Sequence, residues 1–123
     1  MDEAKLSRPI VGRLRALCLA FPETSETSSW GHPNFRAGKR IFSAFEIVKG
    51  RPSIAFRLEA TDISRLLRNK NFFATPYGQG RWASMWVDGP VDWRLVARLL
   101  DRSYRIVAIK RMIDALDDPV VNT

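Results

Sequence analysis

From Trp30 to Glu59 the apolar residues recur with a period of two, and glycines interrupt the run at Gly38 and Gly50. Ile41, Phe45 and Ile47 alternate with Phe42, Ala44 and Val48; beyond Gly50, Ile54, Phe56 and Leu58 alternate with Ser53, Ala55 and Arg57. Successive side chains of an extended strand point to opposite faces, so this spacing fits strands and not a helix. A glycine between two such runs marks a reversal of the chain. The stretch therefore predicts an antiparallel meander, with a short strand over His32 to Ala37 and two longer strands on either side of Gly50.

The flanks have a different period. Ile10, Val11, Leu14, Leu17, Cys18 and Phe21 fall within about a third of a helix circumference, which describes an amphipathic first helix closed by Pro22. Glu23 to Ser29 reads as a connector, because Ser and Thr hydroxyls compete for backbone hydrogen bonds. Thr61 is placed to cap a short helix through Asn69, with Ile63, Leu66 and Leu67 inward. Gly78 to Gly80 is a loop, and Arg81 to Asp88 returns as a strand on which Trp82 and Trp86 oppose Ala83, Met85 and Val87. The last third is helical: Trp93, Val96, Leu100, Tyr104 and Val107 line one side, and Arg94, Arg98, Arg102 and Arg105 the other. Asp101 can pair with Arg105, and a break is expected, if anywhere, near Asp101 to Ser103. The predicted order is α-β-β-β-α-β-α, an α+β chain with a single domain over residues 1–116 and a loose tail over residues 117–123.

Catalysis and metal binding find little to work with. A metal centre needs clustered ligands and a hydrolase needs a nucleophile beside a base, but the chain has one histidine and one cysteine. His32, next to Pro33, reads as structural or solvent-facing, and Cys18 sits within the apolar stripe as a small buried hydrophobe. Tyr77-Gly78-Gln79-Gly80 lacks the lysine of a phosphate loop. No catalytic residue, metal or cofactor is expected. Arginines interrupt the N-terminal apolar run and no segment is long enough to span a bilayer, so a soluble, cytoplasmic protein is expected.

Charge is the remaining signal. Twenty Lys and Arg against thirteen Asp and Glu leave +7, a field that attracts polyanions. Arg36, Lys39 and Arg40 flank Gly38, Lys49 and Arg51 flank Gly50, Arg57 closes a strand, and Arg81 edges the glycine loop. These seven are the candidate phosphate contacts of a non-enzymatic nucleic-acid-binding protein. In a meander the two turns lie at opposite ends of the middle strand, about 20–25 Å apart, a distance that a duplex bridges and a small anion does not. The alternative is a groove of Phe72, Thr75, Pro76, Tyr77 and Trp82 beside the sheet, taking a small anion or a protein.

Three segments in this order, HPNFRAGKRIFSAF (His32 to Phe45), FFATPYGQGRW (Phe72 to Trp82) and LLDRSYRIVAIKR (Leu99 to Arg111), resemble the MmcQ/YjbR family. The resemblance implies a CyaY-like two-layer sandwich, with helices packed on one face of an antiparallel sheet. It also implies DNA binding through a double-wing arrangement of strands, and it brings no catalytic residues. Iron, which a CyaY-like fold suggests, is not expected, because the chain has no carboxylate cluster outside its tail.

Overall fold

In the computed structural model, which describes residues 3–118 with side chains from Ser7 onward, the period-two stretch forms the middle of a six-stranded sheet. The elements are α1 (Glu3–Leu19), β1 (Thr24–Ser29), β2 (His32–Ala37), β3 (Arg40–Val48), β4 (Arg51–Arg57), α2 (Ala60–Leu66), β5 (Phe72–Ala74), β6 (Trp82–Trp86), α3 (Trp93–Val107) and α4 (Lys110–Asp117). The strands lie in the order β1-β2-β3-β4-β6-β5, and every neighbouring pair is antiparallel. Two-residue turns join the first four strands. Trp30-Gly31 and Lys49-Gly50 both have positive φ at each central residue, the conformation whose twist matches paired strands and which glycine adopts at no steric cost.

α1 packs on β1 and β2, α3 packs on β3 and β4, and α2 is tied to α3 through Asp62 and Arg102. Phe35, Phe45, Ile54, Phe56, Met85 and Phe72 fill the space beneath these helices, all nearly or fully buried. Near Gly38 the core closes around Tyr104 of α3. Its ring stacks on Phe21 at 4.7 Å and meets Phe42 edge-on at 5.6 Å, while its hydroxyl donates to the Pro22 carbonyl at 2.7 Å. One residue thus joins α3 to β3 and to the end of the α1–β1 connection.

The α+β class and the helices-on-a-sheet arrangement stand, but the element order is longer than predicted. Thr24 to Ser29 is not a connector: it pairs residue for residue with β2, because ladder hydrogen bonds satisfy its backbone and its small polar side chains, mostly exposed, need no apolar partner. Phe72–Ala74 forms a short edge strand on β6. Phe42 does not share the face of Ala44 and Val48, because a bulge between β2 and β3 interrupts the alternation and Phe42 is buried against Phe21 and Tyr104. Glu59, not Thr61, holds the N-cap position of α2, and Leu67 is exposed. α3 runs unbroken past Ser103 to Val107; Asp92 caps its start by accepting from the Arg94 and Leu95 amides, and the break falls before α4. Asp117 belongs to α4 and pairs with Arg105, which draws the helix one residue into the predicted tail; residues 119–123 lie outside the described residues.

Tyr104→Phe keeps the ring contacts and removes the hydrogen bond from the hydroxyl to Pro22. A loss of about 1 kcal/mol is expected, a fall in Tm of roughly 4–6 °C for a chain of this size. Thermal denaturation followed by circular dichroism measures it; an unchanged Tm would contradict the closure described.

Candidate nucleic-acid interface

Residues paired across neighbouring strands share a face, so the register identifies the side the helices leave bare. Asn34, Ala44, Ala55, Ser84 and Phe73 form one row across it. Glu46, Ser53 and Trp86 form the next row toward one end of the sheet, and Arg57 and Trp82 pair toward the other. Ala55, Ser53 and Ser84 are fully buried although no helix covers them, because their small side chains lie among larger ones. Ser84 also shares a 2.7 Å hydrogen bond with Thr75, and the loop after Thr75 approaches so closely that a Cβ on Gly78 would lie 2.6 Å from that of Trp82.

The seven predicted cations divide between the two ends of the strands. Arg36, Lys39, Arg40, Arg57 and Arg81 collect at the β2–β3 turn end, carried by β2, its turn, β3, β4 and the loop entering β6. Three inter-strand spacings separate β2 from β6, so this row extends about 15 Å. Lys49 and Arg51 lie at the opposite end of β4, a seven-residue strand of about 20 Å. The structure does not bring them together with the other five. Arg51 is also occupied: it forms a fork with Asp88 at 2.6 and 3.2 Å, and its guanidinium lies 4.0 Å from the centre of the Trp86 ring. Phe73 stacks on that ring at 4.0 Å from β5, so Trp86 stands between an arginine and an aromatic. The Arg51 guanidinium holds the Asp88 carboxyl below the usual carboxylate range.

Arg36 and Arg57 are half-buried and are anchored only to neutral oxygens. Arg36 donates to Thr27 Oγ1 at 3.2 Å and to the Lys39 carbonyl at 2.7 Å. Arg57 donates to the carbonyls of Leu58 and Arg81 at 2.8 and 3.3 Å. These bonds orient the guanidinium groups without cancelling their charge. Lys39, Arg40 and Arg81 are exposed and, among the described residues, form no ion pair. The helices present a different picture. Arg15 pairs with Glu26, Arg102 with Asp62, Arg105 with Asp101 and Asp117, Lys110 with Asp114, and Arg111 with Glu23. The predicted helical stripe is thus half neutralised, leaving Arg94 and Arg98 without a carboxylate among the described residues.

The predicted aromatic groove does not form. Phe72 pairs with Met85 and is buried beneath the helices, whereas Trp82 belongs to the bare face, Thr75 is buried against Ser84, and Pro76 and Tyr77 project into solvent. His32 is half-buried, edge-on to Phe45 at 6.4 Å between ring centres. Cys18 is fully enclosed, and burial pushes its thiol well above the ordinary range, away from nucleophilic use. Among the described residues, no group of three or more His, Cys, Asp or Glu side chains could hold a metal ion, and no helix is long and apolar enough to cross a membrane.

Glu46 is the one carboxylate among the described strand residues of the bare face. It is half-buried and its Oε1 has no hydrogen-bond partner, and burial pushes its carboxyl above the ordinary range. The folded protein therefore holds this proton to higher pH than the unfolded chain does. The resulting penalty is absent below the ordinary glutamate range and fully present above the raised folded value. Glu46→Gln is expected to raise Tm at about pH 7 and to leave it unchanged at about pH 3.5, where both side chains are neutral. A lowered Tm at neutral pH would contradict this reading of the site.

The same fold recurs in known structures. The chain is similar to the Deinococcus radiodurans protein DR2400, whose structure carries the family-model domain DUF419, at 20% identity and a TM-score of 0.69, with 87% of each chain covered. It is also similar to a Pseudomonas syringae protein at 10% identity and a TM-score of 0.66, covering 87% of this chain and 99% of that one. At these identities the likeness is one of fold. Comparison with curated proteins gives no match. The YjbR family model matches residues 19–106, from the end of α1 to the last turn of α3, and with most of its length so matched the chain belongs to the YjbR family.

Proposed function

We propose that this chain binds nucleic acid without acting on it chemically, and that the contact surface is the β2–β3 turn end of the sheet. The observation that carries this reading is the pair of anchored guanidinium groups, Arg36 and Arg57, held by neutral oxygens between the exposed Lys39, Arg40 and Arg81. A charge fixed in place and left uncompensated favours a phosphate partner, since little side-chain entropy remains to be lost on contact. A row about 15 Å long reaches several consecutive phosphates of a strand, which repeat every ~3.4 Å along a B-form axis.

Contacts of this kind read the backbone and not the bases. Trp86 adds no open ring face for stacking, since Arg51 and Phe73 already lie against it. Binding is therefore tolerant of sequence and strongly dependent on salt. Lys49 lies outside the row and serves only a partner long enough to pass both strand ends.

Fluorescence anisotropy of a labelled oligonucleotide duplex tests this. Five phosphate contacts give a slope of log K against log salt of about −4.5. Lys39→Glu and Arg40→Glu should each weaken binding and shallow the slope by about one, whereas Lys49→Ala should change it little. The absence of a complex at low salt, or an equal loss on reversing Arg94 or Arg98, would overturn the proposal.

A further inference from the structure

We infer that a second site, separate from the sheet end, lies between α1 and the β1–β2 hairpin and binds a small organic monoanion with a flat apolar body. The opening there has a volume of about 490 Å³, within the range of small-molecule sites and larger than inorganic phosphate requires. It exists because α1 seals only part of the strands beneath it. Leu14 and Cys18 are fully buried, but Val11, one turn earlier, is only half-buried and faces the opening together with Phe45 and Ile47 of β3.

The chemistry of the walls selects the ligand. The aromatic rings of His32 and Phe45, edge-on to each other, and the apolar ring of Pro33 make one wall of the opening, against which a planar body can lie. Charge sets the other end. Arg15 and Glu26 both line the opening but close on each other through bonds of 2.6 and 3.0 Å, so they add no net charge. Arg8 also lines it, is exposed, and forms no ion pair among the described residues. Among the described lining residues one cation is left uncompensated, and it matches one negative charge. A nucleotide would bring several phosphate charges against one unpaired arginine among the described lining residues and the Glu26 carboxylate, and a neutral ligand would leave Arg8 unanswered. Among the described lining residues a metal ion would find one carboxylate, Glu26, already held by Arg15. A carboxylate on an aromatic or heteroaromatic ring fits all of these constraints, with Arg8 as its partner and the imidazole of His32 beside it.

Isothermal titration of the full chain with indole-3-acetate, indole, inorganic phosphate and ATP as probes tests the inference. Saturable binding of indole-3-acetate with a Kd at or below about 1 mM is expected, with indole and phosphate each at least about tenfold weaker and ATP no tighter than phosphate. Arg8→Ala should weaken indole-3-acetate about tenfold. Val11→Trp, which fills the opening, should abolish its binding while leaving oligonucleotide binding intact; Arg8→Ala, at an exposed position, keeps the test decisive if that variant does not fold. No saturation at millimolar concentration, equal affinity for indole or for phosphate, or an Arg8→Ala protein that binds as well as the parent would each overturn the site. Because the oligonucleotide assay uses different residues, failure here leaves the sheet-end proposal standing, and the reverse also holds.

Discussion

Helices cover one face of this sheet and leave the other to water, and the remaining features stem from that asymmetry. The covered face can take Phe35, Phe45, Ile54, Phe56 and Met85, since α1 and α3 remove them from solvent. The bare face has no such shelter, so its middle row carries Asn34, Ala44, Ala55 and Ser84, small or polar groups lying among longer neighbours. Large side chains on this side survive by leaning on each other, as Trp86 does between Arg51 and Phe73.

The same asymmetry distributes the charge. Among the ion pairs of the described residues, Glu23, Glu26, Asp62, Asp88, Asp101, Asp114 and Asp117 are engaged by cations that mostly belong to helices α1, α2, α3 and α4. Most of these pairs are exposed and contribute little to stability. Their consequence is local: the excess of twenty cations over thirteen acids is felt where no carboxylate stands nearby to cancel it. At the turn end of β2, β3 and β4 no ion pair engages Arg36, Lys39, Arg40, Arg57 or Arg81 among the described residues, although Glu23 and Glu59 belong to the same end, and the backbone carbonyls of Lys39, Leu58 and Arg81 keep the Arg36 and Arg57 guanidinium groups there without neutralising them. Arg94 and Arg98 on α3 also have no carboxylate among the described residues, but they stand one turn apart on one helix and lack the width of the sheet end.

Where strict alternation held, the sequence was sufficient: β2, β3, β4 and β6 lie where the period-two runs placed them, and Trp82 and Trp86 oppose Ala83, Met85 and Val87 as parity requires. Alternation failed at Phe42, because an extra residue in a strand shifts the parity of the residues beyond it and leaves no mark in composition. It was silent over Thr24 to Ser29, where no apolar residue recurs and pairing with β2 alone makes the strand. The turn-end cations were legible as residues flanking Gly38, but their separation into free and occupied groups was not. The partner of Arg51 is Asp88, distant in sequence, and the ring beneath it is braced by a strand the sequence did not reveal. A groove lined by both Phe72 and Trp82 needs them on one face, whereas the register of β5 on β6, which the sequence does not reveal, places them on opposite faces.

The claim on which the functional account rests is that cations left free by the one-sided fold, and not the overall positive charge, receive the polyanion. Backbone amide chemical-shift mapping with an unlabelled oligonucleotide measures this most directly, since it reports position as well as affinity. The account predicts salt-sensitive shifts concentrated at Arg36 to Ile41, Arg57 to Leu58 and Arg81 to Trp82, with little change along α3. Shifts centred on Arg94 and Arg98, or scattered evenly over every exposed cation, would contradict it.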